Sequence, residues 1–174
     1  MIERARALAA GFWNWYNRFY ALNLSVAAGL FLLQIVHLYW LTTDVVLFRI
    51  FGESFFFSEN EFVKLLLILV DYTEIPALIT TSFVYINSIR GRGKNVRDVL
   101  YLLFINIQWF HIFWITDEVV VEIFGHTGAF PQWHPLVAWS AIVIDYLELP
   151  VIYDTIKRVF ALRLEALRSP SPNN

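Results

Sequence analysis

Hydrophobic residues in this chain are gathered into four long stretches that are separated by short polar segments. The stretches cover about residues 20–48, 62–86, 99–123 and 135–160. Each one contains at least the ~20 residues that an α-helix needs to cross the hydrocarbon of a bilayer. The pattern therefore predicts an all-α, polytopic membrane protein with four transmembrane helices.

Composition and charge agree with a membrane protein and exclude several other classes. Of the 174 residues, 58% are hydrophobic and 16% are charged, against the ~25% charged residues of an average soluble domain. The chain contains no cysteine, which excludes disulfide bonds and thiolate ligands. The net charge of −2, without a basic face, argues against a nucleic-acid partner. The expected partners are membrane lipid, an apolar small molecule, and further subunits in a homodimer or a larger membrane complex.

Charged residues outside the apolar stretches predict the orientation in the membrane. Lys and Arg are concentrated before the first stretch, between the second and third, and after the fourth, whereas the segment between the first and second is acidic. Because cytoplasmic loops carry the excess of Lys and Arg, both termini are predicted to be cytoplasmic. The predicted units are an interfacial segment (1–19), a first hairpin (20–88), a basic cytoplasmic loop (89–98), a second hairpin (99–162) and a tail (163–174) with a disordered end.

One polar motif occurs twice inside the apolar stretches. Residues 70–76 read VDYTEIP, and 74 residues later residues 144–150 read IDYLELP. The histidine-containing segments 34–40 (QIVHLYW) and 108–114 (QWFHIFW) have the same separation. Since a pair of helices returns the chain to its starting side, the pattern predicts two tandem helical hairpins that run parallel, related by an axis along the membrane normal. Each acidic motif ends in a proline, which predicts a helix kink beside the acids.

Six side chains in these motifs form a candidate site near the middle of the membrane. They are His37, Asp71, Glu74, His111, Asp145 and Glu148. Counting 1.5 Å per residue from the outer ends of the predicted helices brings all six to one level. An ionised residue at that depth costs roughly 2.5–3.5 kcal/mol, so the acids are expected either to be protonated and hydrogen-bonded or to be held by a cation. An outer shell of Asp44, Glu118, Trp40 and Trp114 is predicted nearer the mouth.

A metal centre is the leading hypothesis for this site. Two histidines and four carboxylates from four helices equal the ligand count of carboxylate-bridged di-iron and di-manganese bundles. In those bundles the histidine lies three residues after a glutamate, whereas here it comes from the neighbouring helix. The hypothesis is that the six residues hold one or two ions of iron, manganese or zinc, for redox chemistry or metal handling.

Three other interpretations of the site are open. His37 and His111 could be the two axial ligands of a haem, or each could bind a pigment, in a subunit of a membrane complex. Without any cofactor, the four carboxylates could be the catalytic groups in acid–base chemistry on an apolar ligand. The polar residues could also serve only as hydrogen bonds between helices. Whether the protein is an enzyme stays open at this point.

Part of the sequence resembles the emopamil-binding protein / sigma-2 receptor (EXPERA) family. The similar segments are 134–139 (HPLVAW) with 145–150 (DYLELP), Asp154 and Lys157 in the last stretch, Gln108 with 116–118 (TDE) in the third, and 36–38 (VHL) in the first. That family has four to five spans and includes a sterol double-bond isomerase. The resemblance implies a sterol- or lipid-like ligand that enters from the bilayer, in a pocket lined by His37, Glu74, Asp145 and Glu148. In this chain the acid that follows the first-span histidine has a different spacing.

Overall fold

The described part of the chain is helical throughout, apart from short connections. The computed structural model describes residues 2–53, 55, 61–93, 95–116 and 135–168, and no strand occurs in these ranges. The prediction of an all-α protein is therefore confirmed. The predicted outer-shell residue Glu118, the side chain of Trp114 and the end of the predicted tail lie outside what is described.

The helical segments correspond to the apolar stretches. They are α1 (Ile2–Arg18), α2 (Tyr20–Trp40), a π-helical turn (Leu41–Val46), α3 (Leu47–Phe51), α4 (Glu61–Tyr72), α5 (Glu74–Arg92), α6 (Val96–Ile115), α7 (Pro135–Tyr146) and α8 (Glu148–Arg168). Segments α2 to α3 form one unbroken helix. Two helices, Tyr20–Phe51 and Leu65–Gly91, are long and apolar enough to cross a membrane. They coincide with the first two predicted spans.

A short break separates α4 from α5 and, in the same way, α7 from α8. At the first break the N–H of Thr73 donates to the carbonyls of both Leu69 and Val70, at 3.2 and 3.0 Å. At the second, the N–H of Leu147 donates to the corresponding two carbonyls at the same distances, 3.2 and 3.0 Å. This bifurcated geometry is common where an α-helix ends.

The prolines of the repeated motif explain the position of the two breaks. Pro76 and Pro150 each lie three residues after a break, in the first turn of α5 and of α8. Proline has no N–H to donate to the carbonyl four residues earlier, so Tyr72 and Tyr146 lose the usual helical bond. The first turn of a helix tolerates proline because its N–H groups have no intrahelical partner there. The sequence thus starts a new helix directly at each glutamate.

The long helices form a bundle in which α2 and α6 occupy opposite corners. Helix α2 packs against α4, α5 and α8, whereas α6 packs against α5, α7 and α8. The segment α4–α5 and the segment α7–α8 take the other two corners. The four segments therefore surround one central axis. Side chains that point inward from all four corners meet at this axis.

The bundle buries many polar side chains beside its apolar core and exposes many large apolar ones. Its buried polar residues are Gln34, His37, Glu74, Thr81, Ser88, Asp98, Gln108, His111, Asp145, Glu148, Asp154 and Thr155. Large apolar side chains point outward instead, for example Leu32, Val36, Leu103, Phe110 and Val143. A contiguous apolar exterior of this kind is typical of a surface that contacts lipid or other protein.

Candidate metal centre

His37, His111 and Asp145 come together at the centre of the bundle. One possible ligand atom from each of the three lies within 4.8 Å of the others. All three residues are buried. Imidazole nitrogen and carboxylate oxygen are the usual ligands of zinc, iron and manganese. This group could therefore hold a metal ion.

Asp145 is the residue that both histidines share. Its Oδ1 atom lies 3.2 Å from Nδ1 of His111, and its Oδ2 atom lies 3.8 Å from Nε2 of His37. Two ligands that bind one ion at about 2.0–2.2 Å cannot be more than roughly 4.4 Å apart. Both distances to Asp145 satisfy that limit, through different oxygens of the carboxylate. The ligand atoms of all three side chains lie within 4.8 Å of one another, so binding of a common ion would require them to move slightly closer together.

Asp71 fixes the orientation of His37 instead of joining this group. Its Oδ1 atom lies 2.5 Å from Nδ1 of His37, and both side chains are about nine-tenths buried. A carboxylate in this position accepts the Nδ1–H, which leaves the lone pair on Nε2 of His37. That nitrogen is the one directed at Asp145. A carboxylate behind a ligating histidine is the usual outer partner in metal sites.

Local structure holds the three groups in place. His37 lies in the last turn of α2, directly before the π-helical turn that begins at Leu41. Single π-helical turns inside α-helices occur frequently at functional sites. One turn before His37, the Nε2 of Gln34 donates to the carbonyl of Val70 at 3.3 Å, which ties α2 to α4. The sequence patterns predicted the histidine but gave no signal for the π-helical turn.

The second hairpin contains the same tie. The Nε2 of Gln108 donates to the carbonyl of Ile144 at 2.6 Å, which joins α6 to α7. Both residues lie 74 positions after those of the first tie. As a result His111 approaches Asp145 from its own hairpin, just as His37 approaches Asp71.

Several polar atoms at the centre are buried without a hydrogen-bond partner among the described residues. They are Nε2 of His37, Nδ1 and Nε2 of His111, Oδ2 of Asp145, Oε1 of Glu74 and Oε1 of Glu148. The great majority of buried polar atoms in proteins are paired. Histidine nitrogens and carboxylate oxygens of this kind are suited to a cation.

Glu74 and Glu148 form a second feature directly beside the histidines. Each is the first residue of its helix, α5 or α8, and the two buried carboxyl groups interact with each other across the bundle axis. Glu148 follows Asp145 by three residues, which puts both on one side of the chain segment. Two ionised carboxylates at this spot would repel each other, which favours a proton or a cation between them.

The outer shell predicted from the sequence is described only in part. The ring of Trp40 lies 6.0 Å from that of His37, between centroids, so this tryptophan does border the site. Asp44 lies within the π-helical turn and is half-buried. Glu118 and the side chain of Trp114 are outside the described part of the chain, and their predicted roles stay predictions.

Two contacts above the site were not anticipated. The hydroxyl groups of Thr42 and Tyr146 are 2.6 Å apart, and those of Thr116 and Tyr72 are 3.1 Å apart. Thr116 lies 74 positions after Thr42, and Tyr146 lies 74 positions after Tyr72, so the two pairs are equivalent in the repeat. These pairs join the first hairpin to the second near the prolines. The sequence signal that could have predicted these contacts is the presence of a threonine and a tyrosine at matching positions in both copies of the repeat.

Comparisons with known proteins do not extend this description. No protein-family model, no curated protein and no solved structure matches the chain. The function must therefore be argued from the site itself.

Proposed function

We propose that this protein is an integral membrane protein that binds a transition-metal ion at the centre of a four-helix bundle. The observation that carries the proposal is the buried group of His37, His111 and Asp145, whose ligand atoms lie within 4.8 Å of one another. The unpaired nitrogens and oxygens of these side chains support it. Asp71 orients His37 from behind, as an outer partner does in known metal sites.

The ligand set favours a reactive metal over a purely structural one. Structural zinc sites have four protein ligands, whereas catalytic sites have three and leave a position for water or substrate. Two histidines and one carboxylate are also the ligands of non-haem iron(II) sites with open positions. Glu74 and Glu148 would then lie beside the open side of the ion as proton donors or acceptors, or as ligands of a second ion.

A haem between His37 and His111 fits the geometry less well. The two imidazole rings are 6.1 Å apart between centroids, which is a suitable spacing for two ligands of one ion. However, the Asp145 carboxylate lies within 4 Å of a nitrogen of both rings. A porphyrin between the rings would have to displace this carboxylate, whereas a small ion would bind it.

The bundle surface supports the membrane placement and the four spans. Beyond the two long apolar helices, α6 and α7 also expose large apolar residues, such as Leu103, Phe110 and Val143. The buried side of the same helices carries histidine and acids. This arrangement suits helices that face lipid outward and a polar site inward. The basic residues at the start of α6 and at the end of α8 support cytoplasmic termini.

Metal analysis of the purified protein tests the proposal. The full chain is extracted in detergent, and iron, manganese and zinc are measured beside an absorption spectrum. We expect stoichiometric metal without a Soret band, and its complete loss in both His37→Ala and His111→Ala. The matched control is His126→Ala, because the sequence puts this histidine outside the predicted spans. Metal that is retained in both variants, or absent from the wild type, would refute the proposal.

A second function rests on the contact between Glu74 and Glu148. Two buried carboxyl groups that share a proton can act as acid and base on an apolar ligand without any metal. The resemblance to the EXPERA family implies a sterol-like ligand of this kind. A metal-free wild type that binds sterols, and loses them in the Glu74→Gln/Glu148→Gln variant, would favour this function over the metal centre.

A further inference from the structure

A network of buried charges joins α5, α6 and α8 at the other end of the bundle, away from the metal centre. Arg158 is its hub: its Nε donates to Asp154 at 2.7 Å, and its Nη2 donates to Asp98 at 2.5 Å. Asp154 also accepts from Arg97 and, at 3.0 Å, from the hydroxyl of Tyr85. Asp98 and Asp154 are both buried. Neither carboxylate has to carry an uncompensated charge, because each is bound by an arginine.

The equivalent place in the repeat, formed by residues of both hairpins, contains no charged residue. Moving the residues of the network by 74 positions leads from Asp154 to Thr80 and from Arg97 to Asn23, which are polar but uncharged. It leads from Asp98 to Leu24, from Arg158 to Val84 and from Tyr85 to Val159. These three apolar residues pack in one cluster, in which Leu24 and Val84 are fully buried. The same kind of helix contact is therefore packed elsewhere in this fold without charged residues. Because apolar replacements of buried ion pairs are often neutral or stabilising, packing alone does not account for the charged network.

A cavity of about 290 Å³ borders the charged network and not the apolar cluster. Its lining includes Asn95, Arg97, Asp98, Asp154, Lys157 and Arg158. Three cations and two carboxylates give the lining a net charge of +1. The carboxylates form the buried side, while the side chain of Arg97 is 47% exposed and Lys157 is exposed.

The lining of this cavity has more N–H hydrogen-bond donors than its carboxylates and hydroxyl groups accept. A guanidinium has five N–H groups, and Arg158 uses three of them, on Asp154, Asp98 and Ser88. Arg97 donates to Asp154 through Nη2 and stacks on Tyr101, with 5.3 Å between its guanidinium carbon and the ring centroid. Its remaining N–H groups and the ammonium of Lys157 are left for a ligand. Both arginines are held by buried carboxylates, so their orientation is fixed in advance.

We propose that this cavity binds a phosphate group, through Arg97, Lys157 and Arg158. Planar arginine donors and a lysine suit the tetrahedral, multiply charged oxygens of phosphate. The cavity lies at the end of the bundle that the charge distribution assigns to the cytoplasmic membrane surface, where basic pockets between helices bind the headgroups of anionic lipids. The phosphate can belong to such a headgroup or to a soluble molecule. The proposal does not depend on the metal centre.

Titration of the detergent-purified full chain tests this site and separates the two sources. The probes are short-chain phosphatidic acid, the matching phosphatidylcholine and inorganic phosphate, with affinity measured by calorimetry. We expect saturable binding of phosphatidic acid, at least about tenfold tighter than phosphatidylcholine, because each charge-assisted bond lost costs about a factor of ten or more. Inorganic phosphate that competes with equal affinity would assign the site to a soluble phosphate, and weak competition would assign it to lipid.

Two variants distinguish a built site from general surface charge. Arg97→Ala/Lys157→Ala removes two exposed cations and should weaken phosphatidic acid binding about tenfold or more. Arg163→Ala removes an exposed cation of α8 that does not line the cavity, and should leave the affinity unchanged. Equal losses in both variants, or no preference for phosphatidic acid in the wild type, would overturn the proposal.

A third variant replaces two charged residues of the network with the apolar residues at the equivalent positions of the repeat. Asp98→Leu/Arg158→Val installs the residues found 74 positions earlier. This variant should fold, keep its metal content and lose phosphatidic acid binding. Unchanged phosphate binding would contradict the role of Arg158. A variant that fails to fold would show that the network is needed for stability, which the comparison of the two hairpins argues against.

Discussion

Asp71 and Asp145 provide a sharp test of the metal centre, because the sequence makes them equivalent and the structure does not. They occupy the same place in the two copies of the repeated motif. In the structure Asp145 lies near nitrogens of both histidines, whereas Asp71 contacts only Nδ1 of His37. We therefore expect Asp145→Ala to abolish metal binding and Asp71→Ala only to weaken it.

The size of the Asp71 effect follows from the bond that it makes. A hydrogen bond of 2.5 Å between two nearly buried side chains, one of them charged, contributes about 1.5–3 kcal/mol. Outer partners of ligating histidines generally change metal affinity by about 10- to 100-fold, or roughly 1.4–2.7 kcal/mol. The first figure concerns the stability of the fold, whereas the second concerns the affinity for metal. Asp71→Ala should thus raise the dissociation constant for zinc by about 10- to 100-fold, while the stoichiometry stays unchanged.

Competition between the protein and a chelator of known zinc affinity measures this difference. Cobalt(II) absorption gives a second signal, because its spectrum depends on the number of ligands. Glu53→Ala is the control, since it removes an exposed carboxylate of the same hairpin that is outside the three-residue group. Complete loss of metal in Asp71→Ala would make Asp71 a ligand and refute the assignment. An unchanged zinc affinity in Asp145→Ala would refute the proposed metal centre.

Two further predictions concern the stability of the fold, each measured by unfolding in detergent against a matched variant. Gly93 between α5 and α6 has φ +84° and ψ 174°, a conformation open almost only to glycine, so Gly93→Ala should destabilise by about 1–3 kcal/mol. Gly91→Ala, inside α5 and with open space around its Cβ position, should be neutral or stabilise by up to about 1 kcal/mol; equal effects would contradict this explanation. Tyr146→Phe removes the 2.6 Å contact with Thr42 and should cost about 0.5–1.5 kcal/mol, whereas Tyr153→Phe on the exposed face of α8 should cost nothing measurable. A larger loss in Tyr153→Phe than in Tyr146→Phe would show that the hydroxyl pair does not join the hairpins.

The helical class and the central residues could be predicted from the sequence because hydrophobicity and repetition are local signals. The start of α2 at Tyr20 and of α7 at Pro135 coincide with the predicted starts of two spans. The proline rule located the helix breaks near Glu74 and Glu148. The histidine and the acid of one hairpin could be matched in depth by counting residues along each helix, since helical rise is constant.

Which of the six residues approach one another at the centre could not be predicted in the same way. It depends on how α2 and α7 are placed across the bundle, which brings Asp145 near His37 although they are distant in the chain. The charged network at the other end was also missed. The sequence patterns gave no signal for it, because they do not show that Arg158 turns inward, where two aspartates bind it.

The two hairpins show how a duplicated sequence can produce one asymmetric site. His37–Asp71 and His111–Asp145 are the same pair in sequence, but the first is a short hydrogen bond of 2.5 Å and the second a looser contact of 3.2 Å. Asp145 can turn towards His37 because its own histidine does not bind it as tightly. A tetrahedral zinc ion would accept only four of these six side chains as ligands. In the proposed centre, the first hairpin supplies the oriented His37, and the second supplies His111 and Asp145. The opposite end of the bundle is asymmetric as well, because Asp98 and Arg158 form a buried ion pair there whereas their equivalents, Leu24 and Val84, pack in an apolar cluster.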